Sequence, residues 1–234
     1  MQTKEIKFHH KIIKVKYRDD SDLSVIDEIF VDKMYRSAEQ IISNLESPIL
    51  DIGAHTGLFS VYVSTLNPNV KIFSLEPEPD NFTLMKENLK LNHCENVIVK
   101  NVALVGNDEE KVSLYLSNNS HNHTTLPPNH FTTKNPEEIK ISATNLNRII
   151  SQNKLDKIGL LKMDIEGAEF EIIKALDNNI IKVIKNIVVE YHEDANNKHA
   201  DIENILRSYG FSIEHFPNHF DKRFGLLVCR NKRK

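Results

Sequence analysis

The sequence predicts an α/β fold in which helices cover both faces of a mostly parallel sheet. From Pro48 onward, short apolar segments alternate with amphipathic segments, as expected for strands joined by helical crossovers. The first of these strands, Ile49–Ile52, runs into a glycine-containing turn, which is typical of doubly wound, Rossmann-like domains. Residues 211–216 and 224–229 resemble an antiparallel hairpin, so we expect one strand near the sheet edge to run against the others.

Length, composition and charge indicate one globular domain. The chain has 234 residues, of which 40% are hydrophobic and 27% are charged. Its net charge of -3 at pH 7 gives no general basic surface, which argues against a nucleic-acid partner. The two cysteines, Cys94 and Cys229, form no metal or redox motif and fit a reducing compartment. Because the first residues lack an apolar export signal and no apolar run could span a membrane, we expect a cytoplasmic protein.

We expect two parts in one structural unit: an N-terminal cap, residues 1–47, and a main domain, residues 48–234. In the main domain the alternation of strands and helices fails between about 107 and 147, where residues 117–130 are polar and contain two prolines. Loops of this length in compact domains are often functional. We therefore interpret the segment as an inserted loop that acts as a substrate lid.

The cap is predicted to contain strands followed by a helix. Apolar side chains occupy every second position within residues 4–17, as in half-buried strands. Within residues 22–36 they recur every three or four positions, behind possible helix caps at Ser21 and Asp22. This second spacing indicates an amphipathic helix.

The main domain continues with alternating helices and strands. Its helical segments are amphipathic, and its strand segments are short apolar runs bounded by polar residues. The predicted helices are residues 57–66, 79–92, 167–176 and 199–209, and the predicted strands are residues 70–75, 97–102, 158–163 and 187–190.

The turn after the first strand has the features of a cofactor-binding loop. Gly53 would let the backbone approach a ligand, and Gly57 would let the next helix pack closely while its first N–H groups receive a carboxylate. A pyrophosphate-binding fingerprint would need glycine at position 55, where this chain has His55. S-adenosylmethionine carries no phosphate, and Asp51 could meet its ammonium group. The loop therefore favours S-adenosylmethionine over a nicotinamide dinucleotide.

An acidic residue after the next strand supports this interpretation. Glu76 follows the strand predicted at 70–75 and precedes Pro77, a position from which a carboxylate can accept hydrogen bonds from both ribose hydroxyls. The alternative is an acid that only stabilises the following helix start. The predicted cofactor-binding residues are Asp51, Gly53, Ala54, His55, Thr56, Gly57, Glu76 and Pro77.

Four sequence blocks resemble the FkbM-type methyltransferases. The resemblance extends over about residues 22–228 and implies a class I, Rossmann-like methyltransferase fold with a seven-stranded sheet. It also implies methyl transfer from S-adenosylmethionine, usually to oxygen, on sugars of glycans or on natural products. We therefore expect a small-molecule or glycan substrate. The blocks are DIGAHTGLFS at 51–60, SLEP at 74–77, LKMDIEGAE at 161–169 and VVEYH at 188–192.

Two further acidic segments are expected to form the reaction centre. Asp164 and Glu166 follow one buried strand, and Glu190 and His192 lie at the end of the next, so all four should face the cleft at the carboxyl edge of the sheet. Methyl transfer to a hydroxyl needs a proton acceptor. We expect Asp164 or His192 to be this base, with Glu190 and Glu166 positioning the substrate. For Lys162 a structural lysine–carboxylate pair is the favoured role.

We assign no resident metal, although two groups of side chains keep that alternative open. Asp164, Glu190 and His192 have the oxygen and imidazole ligands that suit Mg²⁺ or Mn²⁺. Three histidines in the polar insert could suit zinc, but no cysteine accompanies them. These histidines are His121, His123 and His130.

Two other functional classes also remain open. A nucleotide-dependent oxidoreductase would share the strand, the glycine turn and the following acid. That class does not, however, account for the acidic block at Asp164. A non-catalytic cofactor-binding subunit would have the same loop. This class stays open because the sequence alone does not demonstrate turnover.

Overall fold

The structure is a computed structural model that describes residues 1–127 and 136–232. Twelve strands occur in this part of the chain. In chain order they are β1 Gln2–Phe8, β2 Lys11–Tyr17, β3 Ile49–Ile52, β4 Ile72–Leu75, β5 Val97–Lys100, β6 Ala103–Leu104, β7 Lys111–Leu116, β8 Glu137–Thr144, β9 Leu160–Met163, β10 Asn186–His192, β11 Phe211–Pro217 and β12 Phe224–Asn231.

Helices connect the strands of the main domain as crossovers, and the cap contains additional helices. A 3-10 turn at Met34–Ala38 joins the first two helices. The α-helices of the described residues are α1 Asp20–Phe30, α2 Glu39–Ser43, α3 Leu58–Leu66, α4 Pro79–Leu91, α5 Leu146–Asn153, α6 Glu169–Lys174, α7 Asn178–Val183 and α8 His199–Ser208.

Seven strands form the central sheet, in the order β11-β12-β10-β9-β3-β4-β5. β10, β9, β3, β4 and β5 are parallel, whereas β12 is antiparallel to both of its neighbours. The predicted doubly wound, mostly parallel sheet with one antiparallel strand near its edge is therefore confirmed. Because the carboxyl ends of the parallel strands share one edge, the loops after β3, β4, β9 and β10 converge there.

Each face of the sheet carries its own hydrophobic core. Leu50 and Ile52 of β3 pack with side chains of α5 to α8, whereas Ile49 packs with α1 to α4 and with the first hairpin. The strand residues are fully buried, and each such side chain contributes about 1.5–3 kcal/mol relative to an exposed one. Burial on both faces explains why β3 and β9 consist of continuous apolar runs apart from two charged residues.

The cap packs on the α3 face of the sheet. β1 and β2 pair with each other and not with the central sheet, and Ile13 and Val15 of β2 share a core with Ile26 of α1 and Tyr62 of α3. The predicted half-buried strands at 4–17 are thus present. The boundary at residue 47 stays a prediction, since the cap and the sheet share this core.

The predicted helix at 22–36 is wrong at both ends. α1 begins at Asp20, and its N-cap is Asp19, whose carboxylate accepts hydrogen bonds from the backbone N–H groups of Ser21 and Asp22. Asp22 is not a cap, because its side chain turns inward and is 1% exposed. The helix ends at Phe30, after which the chain turns.

The segment at 107–147 is more ordered than a loop. β7 and β8 form an antiparallel hairpin, and β6 joins β8 in parallel. Leu114, Ile141 and Ala103 form its small core. The interpretation of the whole segment as an inserted loop is therefore wrong, and only the connection after β7 fits it. His130 lies outside the described residues.

Within the two described ranges, no helix is long and apolar enough to cross a membrane.

The turn after β3 allows a test of the packing that positions it. Gly53 and Gly57 both have positive φ, of 71° and 83°. A Cβ atom at Gly53 would lie 1.8 Å from the backbone oxygen of Asp164, whereas one at Gly57 would meet the flexible Met85 side chain at 2.8 Å. We expect Gly53→Ala to lower the free energy of unfolding by about 3 kcal/mol or more and Gly57→Ala by about 1–2 kcal/mol, as measured by urea denaturation. Equal losses of unfolding free energy in Gly53→Ala and Gly57→Ala would contradict this packing.

Candidate active site

A cleft lies at the carboxyl edge of the sheet, where the loops after β3, β4, β9 and β10 meet. It encloses about 890 Å³, open solvent at its mouth included. Gly53, His55 and Glu76 line one side, and Asp164 and Glu190 line the other. Members of both predicted groups therefore share one cleft, although His192 is not among the residues that line it.

Glu76 is held rigidly in the wall of the cleft. Its Oε2 accepts a hydrogen bond from the backbone N–H of His55 at 2.8 Å, and its Oε1 accepts one from the backbone N–H of Glu78 at 2.9 Å. Burial raises the pKa of Glu76 to about 7, although these hydrogen bonds lower it in part. Each carboxylate oxygen keeps a second lone pair, which can accept a hydrogen bond from a ligand.

The eight predicted cofactor residues divide into two sets. Gly53, His55, Glu76 and Pro77 line the cleft. The others lie beneath its surface, each with at most 3% exposure where a side chain is present, and their direct roles stay predictions. These residues are Asp51, Ala54, Thr56 and Gly57.

Gly53 and Gly57 are needed for packing within the protein. The missing side chain of Gly53 makes room for the Asp164 carbonyl, and that of Gly57 makes room for Met85 of α4. The expected close packing at Gly57 is confirmed, whereas its expected role in binding a cofactor carboxylate stays a prediction. For Gly53, the structure gives a different reason from the expected approach of a ligand, although the residue does line the cleft.

Asp51 and Lys162 form a buried pair under the cleft. Asp51 is fully buried, its Oδ2 accepts a hydrogen bond from Ser60 at 2.7 Å, and its Oδ1 lies 3.4 Å from Lys162 Nζ. The Lys162 ammonium also donates to the Gly53 carbonyl at 2.8 Å and lies 3.7 Å from Asp164 Oδ2. Burial alone would lower the pKa of Lys162, but Asp51 and Asp164 raise it overall. The expected lysine–carboxylate pair is present.

Four carboxylates crowd the other side of the cleft. Glu28, Asp164, Glu166 and Glu190 all line it. Burial, reinforced by the nearby charge of Asp164, raises the pKa of Glu28 to about 7 and that of Glu190 well above its ordinary value. Burial is also the main cause that raises the pKa of Glu166 to about 8. Not all of these groups are ionised at neutral pH.

His192 is enclosed between two carboxylates. Its Nδ1 lies 3.2 Å from Glu169 Oε1, and its Nε2 lies 3.6 Å from Glu166 Oε2. Burial would lower the pKa of His192, but Glu166 and Glu169 raise it well above its usual range. The two carboxyl groups therefore favour the protonated form of the imidazole, a form that does not accept a proton.

Sequence analysis missed two residues of this site. Glu28 lies on α1 in the cap and reaches the cleft only through the packing of that helix. Glu169, fully buried, accepts hydrogen bonds from the backbone N–H groups of Ile165 and Gly167, each at 2.8 Å, and so fixes the turn that carries Glu166. Its position five residues after Asp164 in an acidic block was a usable signal.

Residues of the segment 120–125, which follows β7, line the cleft, and two of them bond to the cap. Ser120 Oγ donates to Asp22 Oδ1 at 2.9 Å and lies 3.2 Å from His55 Nε2, while the Ser120 carbonyl accepts from Asn81 at 2.9 Å. His121 Nδ1 lies 2.7 Å from Ser21 Oγ. The location agrees with the predicted lid, whose movement stays a prediction.

Metal binding by the insert histidines gains no support from the described residues. His123 Nδ1 accepts a hydrogen bond from the backbone N–H of Ser117 at 3.0 Å, and neither His121 nor His123 joins a group of three ligands. Asp164, Glu166 and His192, in contrast, have ligand atoms within 4.8 Å of one another.

The residues of the cleft fit S-adenosylmethionine. Burial lowers the pKa of His55 to about 3, so its imidazole is neutral, and within the described residues its buried Nδ1 has no hydrogen-bond partner. The carboxylate of Glu76, which lines the cleft, offers polar contacts. Apolar side chains of Val102, Leu104 and Leu114 line the adjacent wall, where a flat purine ring would fit.

The raised pKa of Glu28 predicts a pH-dependent effect on stability. Between pH 4.5 and about 7 the native carboxyl keeps a proton that the unfolded chain releases, so this residue costs stability as pH rises through that window. In Glu28→Gln the side chain at this position is uncharged at every pH in this window. We expect it to raise the free energy of unfolding by about 1–2 kcal/mol at about pH 8 and to have little effect at about pH 4.5.

Urea denaturation at both pH values measures this difference. Glu95→Gln, which changes an exposed glutamate, serves as the control and should have no pH-dependent effect. If Glu28→Gln is less stable than the native protein at the higher pH, this would contradict the conclusion that burial and the charge of Asp164 destabilise the ionised Glu28 carboxylate.

Comparison with known proteins identifies the family. The profile of the Methyltransferase FkbM domain matches residues 51–213, well over half of the chain. Methyltransferase 1 of Beauveria bassiana is 27% identical, over 80% of this chain and 79% of the relative. The 31-O-demethyl-FK506 methyltransferase FkbM of Streptomyces tacrolimicus is 22% identical, over 80% of each chain. The hexuronic acid methyltransferase AglP of Haloferax volcanii is 23% identical, over 81% of this chain and 76% of the relative.

Solved structures agree with the fold. The fibrillarin pre-rRNA processing protein of Methanococcus jannaschii has a TM-score of 0.54 and 14% identity, and the match covers 99% of this chain and 84% of that one. A Streptococcus mutans protein in complex with SAH has a TM-score of 0.52 and 10% identity, with 84% and 97% covered. The family match displaces the alternative of a nucleotide-dependent oxidoreductase. The chain belongs to the FkbM family of S-adenosylmethionine-dependent methyltransferases.

Proposed function

We propose that the protein methylates a hydroxyl oxygen of a sugar, a glycan or another hydroxylated small molecule. The observation that carries this proposal is the single cleft that joins Glu76 and His55 to the carboxylates of Asp164 and Glu190. Carboxylates accept hydrogen bonds from hydroxyl groups and can take a proton from one. The printed names of two relatives, a 31-O-demethyl-FK506 methyltransferase and a hexuronic acid methyltransferase, support a hydroxylated acceptor.

Each side of the cleft has a separate task in this proposal. Glu76 accepts hydrogen bonds from the ribose hydroxyls of the cofactor, and the backbone at Gly53 and His55 borders its amino-acid end. S-adenosylmethionine, when bound, supplies an electrophilic methyl group on sulfur. The acidic side then holds the acceptor hydroxyl in line with that methyl group.

Asp164 is the proton acceptor that the geometry favours over His192. The Asp164 side chain is 30% exposed and lines the cleft, whereas His192 is 12% exposed and lies between two carboxyl groups that favour its protonated form. Lys162 Nζ lies 3.7 Å from Asp164 Oδ2, so the carboxylate is held beside a cation. His192 acts as a positioning residue, because it holds Glu166, and Glu169 holds His192 in turn.

The charge of the cleft favours a neutral acceptor. An anionic substrate would be repelled by whichever of Glu28, Asp164, Glu166 and Glu190 are ionised, and the Lys162 ammonium beneath the cleft is buried and paired with Asp51. A neutral polyol or sugar hydroxyl avoids this repulsion and offers donors to the carboxylates. Glycosides and hydroxylated natural products meet this requirement better than free uronic acids.

Glu76→Gln tests the cofactor side. The amide of glutamine would turn one N–H group toward a backbone N–H donor, and the charged acceptor for the ribose would be lost. We expect affinity for S-adenosylhomocysteine to fall about 10–100-fold by isothermal titration calorimetry.

Glu78→Gln is the matched control for this variant. Glu78 is 7% exposed and caps α4 through bonds to Asp80 and Asn81, but it does not line the cleft. This variant should lose stability and keep its affinity. Equal affinity losses in both variants would contradict the ribose-binding role of Glu76.

The two candidate bases are separated by kinetics. We expect Asp164→Asn to lower kcat by about 10²–10⁴-fold with cofactor affinity nearly unchanged, as for loss of a general base. His192→Gln should cost only about tenfold, and Asp156→Asn, at an exposed position, should have no effect. A larger loss for His192→Gln than for Asp164→Asn would reverse the assignment.

The acceptor itself is found with labelled methyl groups. Purified protein is incubated with S-adenosylmethionine carrying a labelled methyl group and a panel of neutral sugars, uronic acids, glycans and hydroxylated metabolites, followed by product mapping. We expect methyl ethers on neutral acceptors, with the same rate in the presence of a chelator. Methylation at nitrogen or carbon would contradict the proposal, and so would the absence of turnover on every hydroxylated acceptor.

A further inference from the structure

A second cluster of ligand-type side chains lies outside the cleft, where α8 packs against the edge strand β11. His199 and Glu203 are four positions apart and therefore lie on the same face of α8, and His215 projects from β11 beside them. Ligand atoms of all three residues lie within 4.8 Å of one another. The rings of the two histidines have their centroids 4.4 Å apart.

Each of the three side chains is oriented by a partner that leaves one ligand atom available. His199 Nδ1 bonds to Glu193 Oε1, which leaves Nε2 as the free nitrogen. Glu203 Oε2 accepts from Arg207 at 2.7 Å, and its Oε1 faces His215 Nδ1 at 3.7 Å.

His215 repeats this pattern from the strand side. Its Nε2 lies 2.9 Å from the hydroxyl of Tyr191, so Nδ1 is the nitrogen that faces the cluster. Metal-binding histidines usually have their other nitrogen held in this way by a carboxylate or another polar group. Two histidines in one cluster that both meet this condition are a stronger signal than proximity alone.

We propose that His199, Glu203 and His215 form a binding site for Zn²⁺. Two imidazoles and one carboxylate match a zinc site with three protein ligands and one open position. Ligand atoms around a tetrahedral zinc ion are about 3.3 Å apart, so small side-chain rotations would close the present spacing. The side chains are 31%, 18% and 29% exposed, which gives the ion a path from solvent.

The bound ion would connect two parts of the chain next to the active site. It would tie the start of α8 to β11, and through Glu193 it would fix the segment between β10 and α8. Glu193 and Asn196 line a groove that also contains Glu166 and His192. The site is separate from the groups proposed for methyl transfer, and its test does not depend on that activity.

Zinc binding is measured by titrating ZnCl₂ into the metal-free full chain by isothermal titration calorimetry. We expect one site whose affinity falls at least about 100-fold in His215→Ala and in Glu203→Gln. Tyr191→Phe removes only an orienting group and should lower affinity about tenfold. His219→Ala, an exposed histidine between β11 and β12, is the matched control and should bind normally.

Glu166→Gln distinguishes this site from the acidic cluster of the cleft and should also bind zinc normally. Circular dichroism and thermal melting establish that each variant is folded. As a second readout, Co²⁺ in the native protein should give visible bands of a four-coordinate site, which His219→Ala keeps and His215→Ala loses. Absence of zinc binding by the native protein would overturn the proposal. Native zinc affinity in His215→Ala and in Glu203→Gln would also overturn it.

Discussion

The buried ammonium group of Lys162 links the two halves of the active site. It lies between the carboxylates of Asp51 and Asp164 and donates to the carbonyl of Gly53, so one cation joins the turn after β3 to the turn after β9. Removal of one partner from a buried pair leaves an uncompensated charge, which costs about 3–5 kcal/mol. A separate contact between the same two turns requires glycine at position 53, because a side chain there would overlap the Asp164 carbonyl. The relative position of the turns that carry Gly53 and Asp164 therefore depends on this pair.

The sequence predicted the parts of the site that lie on the parallel strands. Gly53, Glu76, Asp164 and Glu190 follow or end buried apolar runs, and parallel topology brings such positions to one edge. The prediction was weaker where tertiary packing decides. Glu28 reaches the cleft only because α1 docks on the main domain, a contact with no local sequence signal.

Other differences have local physical causes. Asp22 resembles a helix cap in sequence, but Asp19 occupies that position, which frees Asp22 to bind Arg18 and Ser120. β7 was missed because the polar segment after it dominated the composition of the region. The alternation of Val112, Leu114 and Leu116 was nevertheless a readable strand pattern.

The proposed function requires that a single cleft align the cofactor with the carboxylate of Asp164. A crystal structure of the protein with S-adenosylhomocysteine tests this claim most directly. We predict that Glu76 contacts both ribose hydroxyls and that the sulfur atom faces the side of the cleft that carries Asp164 and Glu190. A ligand bound outside this cleft, or one whose sulfur points away from Asp164, would contradict the account.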